Sequence, residues 1–148
     1  MDKTENVARA IFSPQMIYNG ELLPEAFRLR AILNEEYLSV MRMSVSSWKE
    51  DILLIPQRRN RMLYGYAQMK VADILDANFQ SVKFDVRACD NKNIKSHAGI
   101  FITVNDEPLI GGKSLKSIND DDAQDFLLLT IQRRLTDIAR KGLQTLTN

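Results

Sequence analysis

The sequence lacks the features of membrane-spanning and disulfide-stabilised proteins. One of its 148 residues is cysteine, which excludes an intrachain disulfide framework and fits a reducing compartment. The longest apolar runs, at 52–55 and 126–129, are far shorter than the roughly 18 residues that cross a bilayer. The first ten residues, MDKTENVARA, carry charges where a signal peptide has its apolar core. These absences predict a cytoplasmic protein without a membrane partner.

A strong charge of either sign is also missing. The 20 lysines and arginines nearly balance the 19 acidic residues, and the formal net charge is +1. No global field would therefore steer the protein towards nucleic acid or an anionic membrane. The length and the hydrophobic content of 45% are typical of one globular domain. Repeats and low-complexity linkers are absent, and we predict a single domain over residues 1–148.

The order of the predicted elements indicates an α+β fold. Alternation of apolar and polar residues, or a short apolar run, predicts strands at 7–12, 36–43, 62–71, 81–89 and 97–104. The run at 7–12 ends before Pro14 and predicts an edge strand. Helical spacing of leucines and isoleucines predicts a long helix over 120–141, with Asn119 as its N-cap. We expect a mainly antiparallel sheet of four to six strands, with this C-terminal helix packed on one face.

The stretch 81–104 predicts a central hairpin with a defined pairing. Matching apolar to apolar residues across two antiparallel strands pairs Phe84 with Ile102 and Val86 with Ile100. The same parity places a second set of side chains on the opposite face of the hairpin. This set comprises Asp85, Arg87, Cys89, His97, Gly99 and Phe101.

Cys89 and His97, the single cysteine and the single histidine, come together at the open end of this hairpin. A thiol beside an imidazole is a candidate catalytic dyad, in which Asp85 or Asp90 would orient the imidazole. The alternative is a cysteine at a strand end and a histidine on a solvated face. A tetrahedral metal site would need two further carboxylates, and we predict neither a metal nor a cofactor.

Phe101 lies beside Gly99 on the nominally polar face of the hairpin, which Arg87 shares. A bare backbone next to an aromatic ring leaves room for something to lie against the strand. The occupant could be another segment of this chain, a second subunit or a ligand. Arg87, Gly99 and Phe101 are therefore candidate binding residues.

The densest basic cluster consists of Arg58, Arg59 and Arg61. Tyr64 and Tyr66 follow it, and strand alternation predicts both tyrosines on one face. Phosphate neutralisation combined with aromatic stacking is a known way to hold single-stranded nucleic acid. The alternative is a loop of solvated arginines.

The sequence is best interpreted as a non-catalytic binding or interaction module. It would use a sheet face or a sheet edge to bind a protein partner or a second copy of itself. One alternative is a nucleic-acid-binding protein acting through the arginine cluster. The other is a small enzyme that uses Cys89 and His97.

Overall fold

The element order is that of an α+β protein, as the sequence predicts. A computed structural model of the chain describes residues 1–58, 60–89 and 93–146. The strands are β1 (Asn6–Ser13), β2 (Ile17–Tyr18), β3 (Glu21–Leu22), β4 (Leu38–Arg42), β5 (Met62–Lys70), β6 (Val82–Ala88), β7 (His97–Val104), β8 (Glu107–Pro108) and β9 (Leu143–Thr145). The helices are α1 (Trp48–Leu53), α2 (Val71–Leu75) and α3 (Asp121–Arg140), and a 3-10 helix spans Pro24–Phe27.

The main sheet has the strand order β6-β7-β4-β1-β5-β9, and the two-residue β8 adds to it by pairing with β7. Every neighbouring pair of strands is antiparallel. The short strands β2 and β3 form a separate hairpin around an Asn19-Gly20 turn, where both residues have positive φ. The predicted mainly antiparallel sheet is confirmed.

The predicted pairing of the central hairpin is also confirmed. In β6 and β7, Phe84 lies opposite Ile102 and Val86 lies opposite Ile100, and all four side chains are buried. A shift of one residue would expose this apolar set to water, so the alternation alone determines the parity.

The prediction that 7–12 is an edge strand is wrong. Strand β1 lies between β4 and β5, in the interior of the sheet. Val7 and Ile11 are buried in the main core on one face, and Ala8 is buried in a separate cluster on the other. Phe12 is also buried, and strand alternation places it on the same face as Ala8. Pro14 follows the last residue of the strand and removes no ladder hydrogen bond, so it is compatible with a central position.

Helix α3 packs on one face of the sheet, as predicted, and we call the opposite face the second face. Ile131, Leu135 and Ala139 are buried in the main hydrophobic core, and each of the larger two contributes on the order of 2 kcal/mol by burial. The helix begins one residue later than expected. Its N-cap is Asp120 and not Asn119, because the Asp120 carboxylate accepts a hydrogen bond from the Asp122 amide at 3.0 Å.

The second face of the sheet is covered in part by α1. Ile52 of this helix is buried against Ala8 and Met41, and the Trp48 ring packs edge-on against Tyr66 at 5.0 Å. A second hydrophobic cluster, the second-face cluster, therefore lies on the side of the sheet opposite α3.

A β-bulge in β5 separates the two tyrosines that the sequence placed on one face. In the pairing with β1, Gly65 lies opposite Ile11 and Leu63 lies opposite Phe12, so Tyr64 is an extra residue. Tyr64 packs against the main core, whereas Tyr66 packs against the second-face cluster. The prediction of a shared tyrosine face is wrong, because the bulge changes the side-chain parity within the strand.

Candidate functional site

A cleft opens in the sheet where β1 and β4 separate. The two strands pair at Val7 with Arg42 and at Ala8 with Met41, and their register ends there. Beyond this point the cleft has a volume of about 650 Å³. Small-molecule sites of proteins have volumes of about 300 to 1,000 Å³. The cleft is therefore large enough to hold a small ligand.

Arg9 bridges the gap between the separated strands. Its Nη1 donates to the Ser39 carbonyl of β4 at 2.7 Å, and its Nε donates to the Ala26 carbonyl of the 3-10 helix at 3.0 Å. In the part of the chain that the structure describes, no carboxylate forms an ion pair with this guanidinium. Burial lowers the pKa of Arg9 to about 10, so the side chain stays protonated at pH 7. A partly buried positive charge thus lines the cleft with no carboxylate in ion-pair contact among the described residues, and Glu35 acts on it at longer range.

Two further arginines act on the same site. The Arg61 guanidinium lies over the Phe12 ring, with Cζ 4.0 Å from its centre, and it also lines the cleft. Burial lowers the pKa of Arg61, and the positive charges of Arg30 and Arg58 lower it further. Arg30 is the paired member of the group, because its Nη2 lies 3.1 Å from Glu35 Oε2.

Positive charge exceeds negative charge around the cleft. Its described lining includes four arginines and two glutamates, namely Arg9, Arg28, Arg30, Arg61, Glu25 and Glu35. His97 also lines the cleft, and burial lowers the pKa of its imidazole, so the ring is neutral at pH 7. The local excess of positive charge is hidden in the net charge of the whole chain, which is close to zero.

One continuous segment of the cleft lining is apolar. Leu54, Ile55 and Pro56, which follow α1, line the cleft together with Phe12 and other apolar residues. Leu54 is 69% exposed, which leaves a large side chain available for contact. A charged surface beside an apolar wall is typical of sites that bind small organic molecules.

Cys89 and His97 lie side by side, as predicted, and the Cys89 amide donates to the His97 carbonyl at 3.0 Å. The imidazole Nε2 lies 3.3 Å from Ser39 Oγ, and the Cys89 thiol lies 3.7 Å from the Arg87 carbonyl. Burial and the neighbouring Cys89 raise the pKa of Tyr37, which therefore belongs to the same cluster.

Asp85 lies away from the imidazole that it was expected to orient. It is four residues from Cys89 along β6, which corresponds to about 13 Å in an extended strand. Its carboxylate pairs with Arg87 Nε at 3.1 Å. The alternative orienting residue, Asp90, lies outside the described residues.

The space beside Gly99 is filled by Tyr37 of the same chain. A Cβ atom on Gly99 would lie 2.5 Å from Tyr37 Cδ2, and the Tyr37 and Phe101 ring centroids are 4.9 Å apart. Phe101 is also contacted by Arg87, whose Cζ lies 3.8 Å from the ring centre. Of the three possible occupants, the structure places another segment of the chain here.

The basic cluster is divided between the cleft and solvent. Arg58 and Arg61 exchange backbone hydrogen bonds of 3.0 and 2.9 Å across a tight turn. Arg61 faces the cleft, and Arg58 is exposed. Arg59 lies outside the described residues.

Sequence reasoning missed Arg9, Ser39 and Tyr37. Arg9 had one visible signal, a charged residue within the apolar run VARAIF. Its position at a gap between two strands depends on residues about 30 positions away. Such a long-range arrangement leaves no local pattern in the sequence.

The described residues contain neither a membrane-spanning helix nor a metal-binding cluster. None of their helices combines the length and apolarity needed to span a membrane. Residues 1–58, 60–89 and 93–146 also contain no group of three or more His, Cys, Asp or Glu placed to hold a metal ion.

Comparison of the chain with protein-family models found no match, and comparisons with curated proteins and with solved structures found none either.

Proposed function

We propose that this chain is a binding module without catalysis of its own, and that it holds a small anionic molecule in the arginine-lined cleft. The observation that supports this most strongly is the guanidinium of Arg9. Removing a charge from water is costly unless the charge is paired, and the two carbonyls that Arg9 contacts are neutral. Glu35 acts on Arg9 only at longer range and is already paired with Arg30. A bound anion would supply the missing charge, and the remaining N–H groups of Arg9 would donate to it.

Binding is favoured over catalysis by the surroundings of the dyad. Asp85 is engaged by Arg87, and the described hydrogen bond of the His97 ring joins it to Ser39. Catalysis by a thiol needs an imidazole that is held by a third group and directed at the sulfur.

The single cysteine supports a reducing compartment, and we propose the cytoplasm.

A small anion is favoured over nucleic acid. Tyr64 and Tyr66 pack on opposite faces of the sheet, so they do not form one stacking surface beside the arginines. Stacking on aromatic rings is the usual complement to phosphate contacts in single-strand binding.

Self-association through the sheet edge formed by β6 has less support than ligand binding. The amide of Phe84 in this strand is bonded to the Asn78 side chain at 2.8 Å. The backbone of Val82 pairs with Phe79, which lies outside the ladder. These contacts occupy groups that a second chain would need in order to extend the sheet.

Isothermal titration with inorganic phosphate at low ionic strength tests the proposal. We expect saturable binding that weakens about fivefold in the variant Arg61→Gln, because the variant removes one cleft charge and leaves the hydrogen bonds of Arg9 intact. The matched control is Arg133→Gln, an exposed arginine of α3 that does not line the cleft. Equal affinity in both variants, or no binding to the wild type, would contradict the proposal.

A further inference from the structure

The charges around the cleft indicate how much negative charge its ligand carries. Glu35 neutralises Arg30 in an ion pair of 3.1 Å. Arg9 and Arg61 form no such pair within the described part of the chain, although both line the same cavity. Glu35 also acts electrostatically on Arg9 and Arg61, so this one carboxylate is shared by three guanidinium groups. The remaining excess of two positive charges matches a ligand group with two negative charges better than a group with one.

The geometry of the guanidinium group favours an oxyanion with several acceptor oxygens. Each guanidinium presents a planar fork of N–H donors, and phosphate offers oxygens that accept two such bonds from one arginine. Arg9 is held in place by its bonds to Ala26 and Ser39, so little conformational entropy is lost when its remaining donors bind.

The apolar segment of the cleft lining indicates that the ligand is larger than the anion alone. Leu54 lines the cleft while most of its side chain remains exposed to solvent. Ile55 and Pro56 continue the same wall. An apolar substituent that covers these side chains would remove them from water and add to the affinity.

We infer, on the basis of the proposed function, that the ligand is a phosphate monoester with an apolar substituent. Its phosphate binds Arg9 and Arg61, and its substituent packs against Leu54, Ile55 and Pro56. At pH 7.5 such a monoester carries close to two negative charges.

Three probe ligands separate the charge of the head group from the apolar contact. Isothermal titration at pH 7.5 compares hexyl phosphate, inorganic phosphate and hexyl methyl phosphate, a diester with one negative charge. We expect hexyl phosphate to bind about tenfold more tightly than inorganic phosphate, since burial of roughly two methylene groups suffices for that difference. We also expect it to bind about tenfold more tightly than the diester, which lacks the second charge.

Two neighbouring leucines provide a matched pair of variants for the apolar contact. Leu54→Ser should reduce the affinity for hexyl phosphate about fivefold and leave the affinity for inorganic phosphate unchanged. Leu53→Ser is the control, because Leu53 is also exposed but does not belong to the described lining of the cleft. Equal effects of both variants on hexyl phosphate would overturn the assignment of the apolar wall.

The outcomes distinguish this inference from the proposed function. The inference fails, while the anion-binding function stands, if inorganic phosphate binds and hexyl phosphate binds no more tightly than inorganic phosphate. The same holds if hexyl phosphate binds no more tightly than the diester. If none of the three ligands binds, both fail. Saturable binding of inorganic phosphate together with tighter binding of hexyl phosphate than of both other ligands, sensitive to Leu54→Ser, supports both.

Discussion

At the residue scale, Asp51 joins α1 to the segment that precedes β7. The residue is 5% exposed, and its carboxylate accepts hydrogen bonds from Ser96 Oγ at 2.6 Å and from Ser47 Oγ at 3.0 Å. Burial disfavours the charged form, but the hydrogen bonds from Ser96 and Ser47 outweigh it and lower the pKa of Asp51. The network holds α1 over the second face of the sheet, beside the cleft.

Replacement of Asp51 with alanine should destabilise the protein by about 2 to 4 kcal/mol at pH 7, because the hydroxyl of Ser96 is fully buried and loses its acceptor. A carboxyl group with a lowered pKa in the folded state stabilises the protein fully above its unfolded pKa of about 4. The stabilisation is lost as the pH falls through the lower pKa of the folded state.

Urea unfolding of the wild type and Asp51→Ala between pH 7 and pH 2 measures this difference in the free energy of unfolding. We expect a constant difference down to about pH 4, followed by a decrease. Asp125→Ala, an exposed position on α3, is the control and should change the stability little. A difference that does not depend on pH would contradict the assigned role of the carboxylate.

A second residue-scale prediction concerns the contact of Tyr37 with Gly99. Replacement of Gly99 with alanine should cost roughly 1 to 3 kcal/mol, because the new methyl group overlaps the Tyr37 ring. In a Tyr37→Ala background the same replacement should cost at least about 1 kcal/mol less. Denaturant unfolding of the four proteins in this cycle gives the coupling. Strictly additive costs would show that Tyr37 does not fill the space beside Gly99.

At the element scale, the start of α3 offers a direct comparison of two candidate caps. Asp120→Ala should destabilise the protein by about 1 kcal/mol, since it removes the acceptor of the Asp122 amide. Asn119→Ala should change the free energy of unfolding by less than about 0.5 kcal/mol. The two variants can be compared by urea unfolding at pH 7. A larger effect at Asn119 would mean that the helix begins one residue earlier.

The elements also show where sequence patterns succeed and fail. The parity of the hairpin 81–104 was predictable, because alternation places each side chain on a definite face. The faces of Tyr64 and Tyr66 were not, because one extra residue in β5 shifts the alternation without a local signal. The short strands β2, β3, β8 and β9 contain two or three residues each, too few for a period to be visible.

At the scale of the whole molecule, the strand order brings together residues whose proximity no sequence pattern indicates. The pairing of β4 with both β1 and β7 brings together segments that are far apart in the chain. The separation of β1 from β4 then creates the cleft, and the arginines reach it from several distant segments. Neither the cluster nor its local charge could be inferred from a net charge of +1. The fold class was therefore predictable, while the candidate site was mostly not.

We propose that Arg9 presents a positive charge to an anion in this cleft. The most direct measurement is a nuclear magnetic resonance titration with inorganic phosphate that follows the Nε–H signal of Arg9 and the amide signals of Ala10 and Ser39. We expect saturable shifts of these signals with one common dissociation constant, and no saturable shift at Arg133. Unchanged signals from the cleft, or shifts distributed over surface arginines such as Arg133, would contradict this proposal.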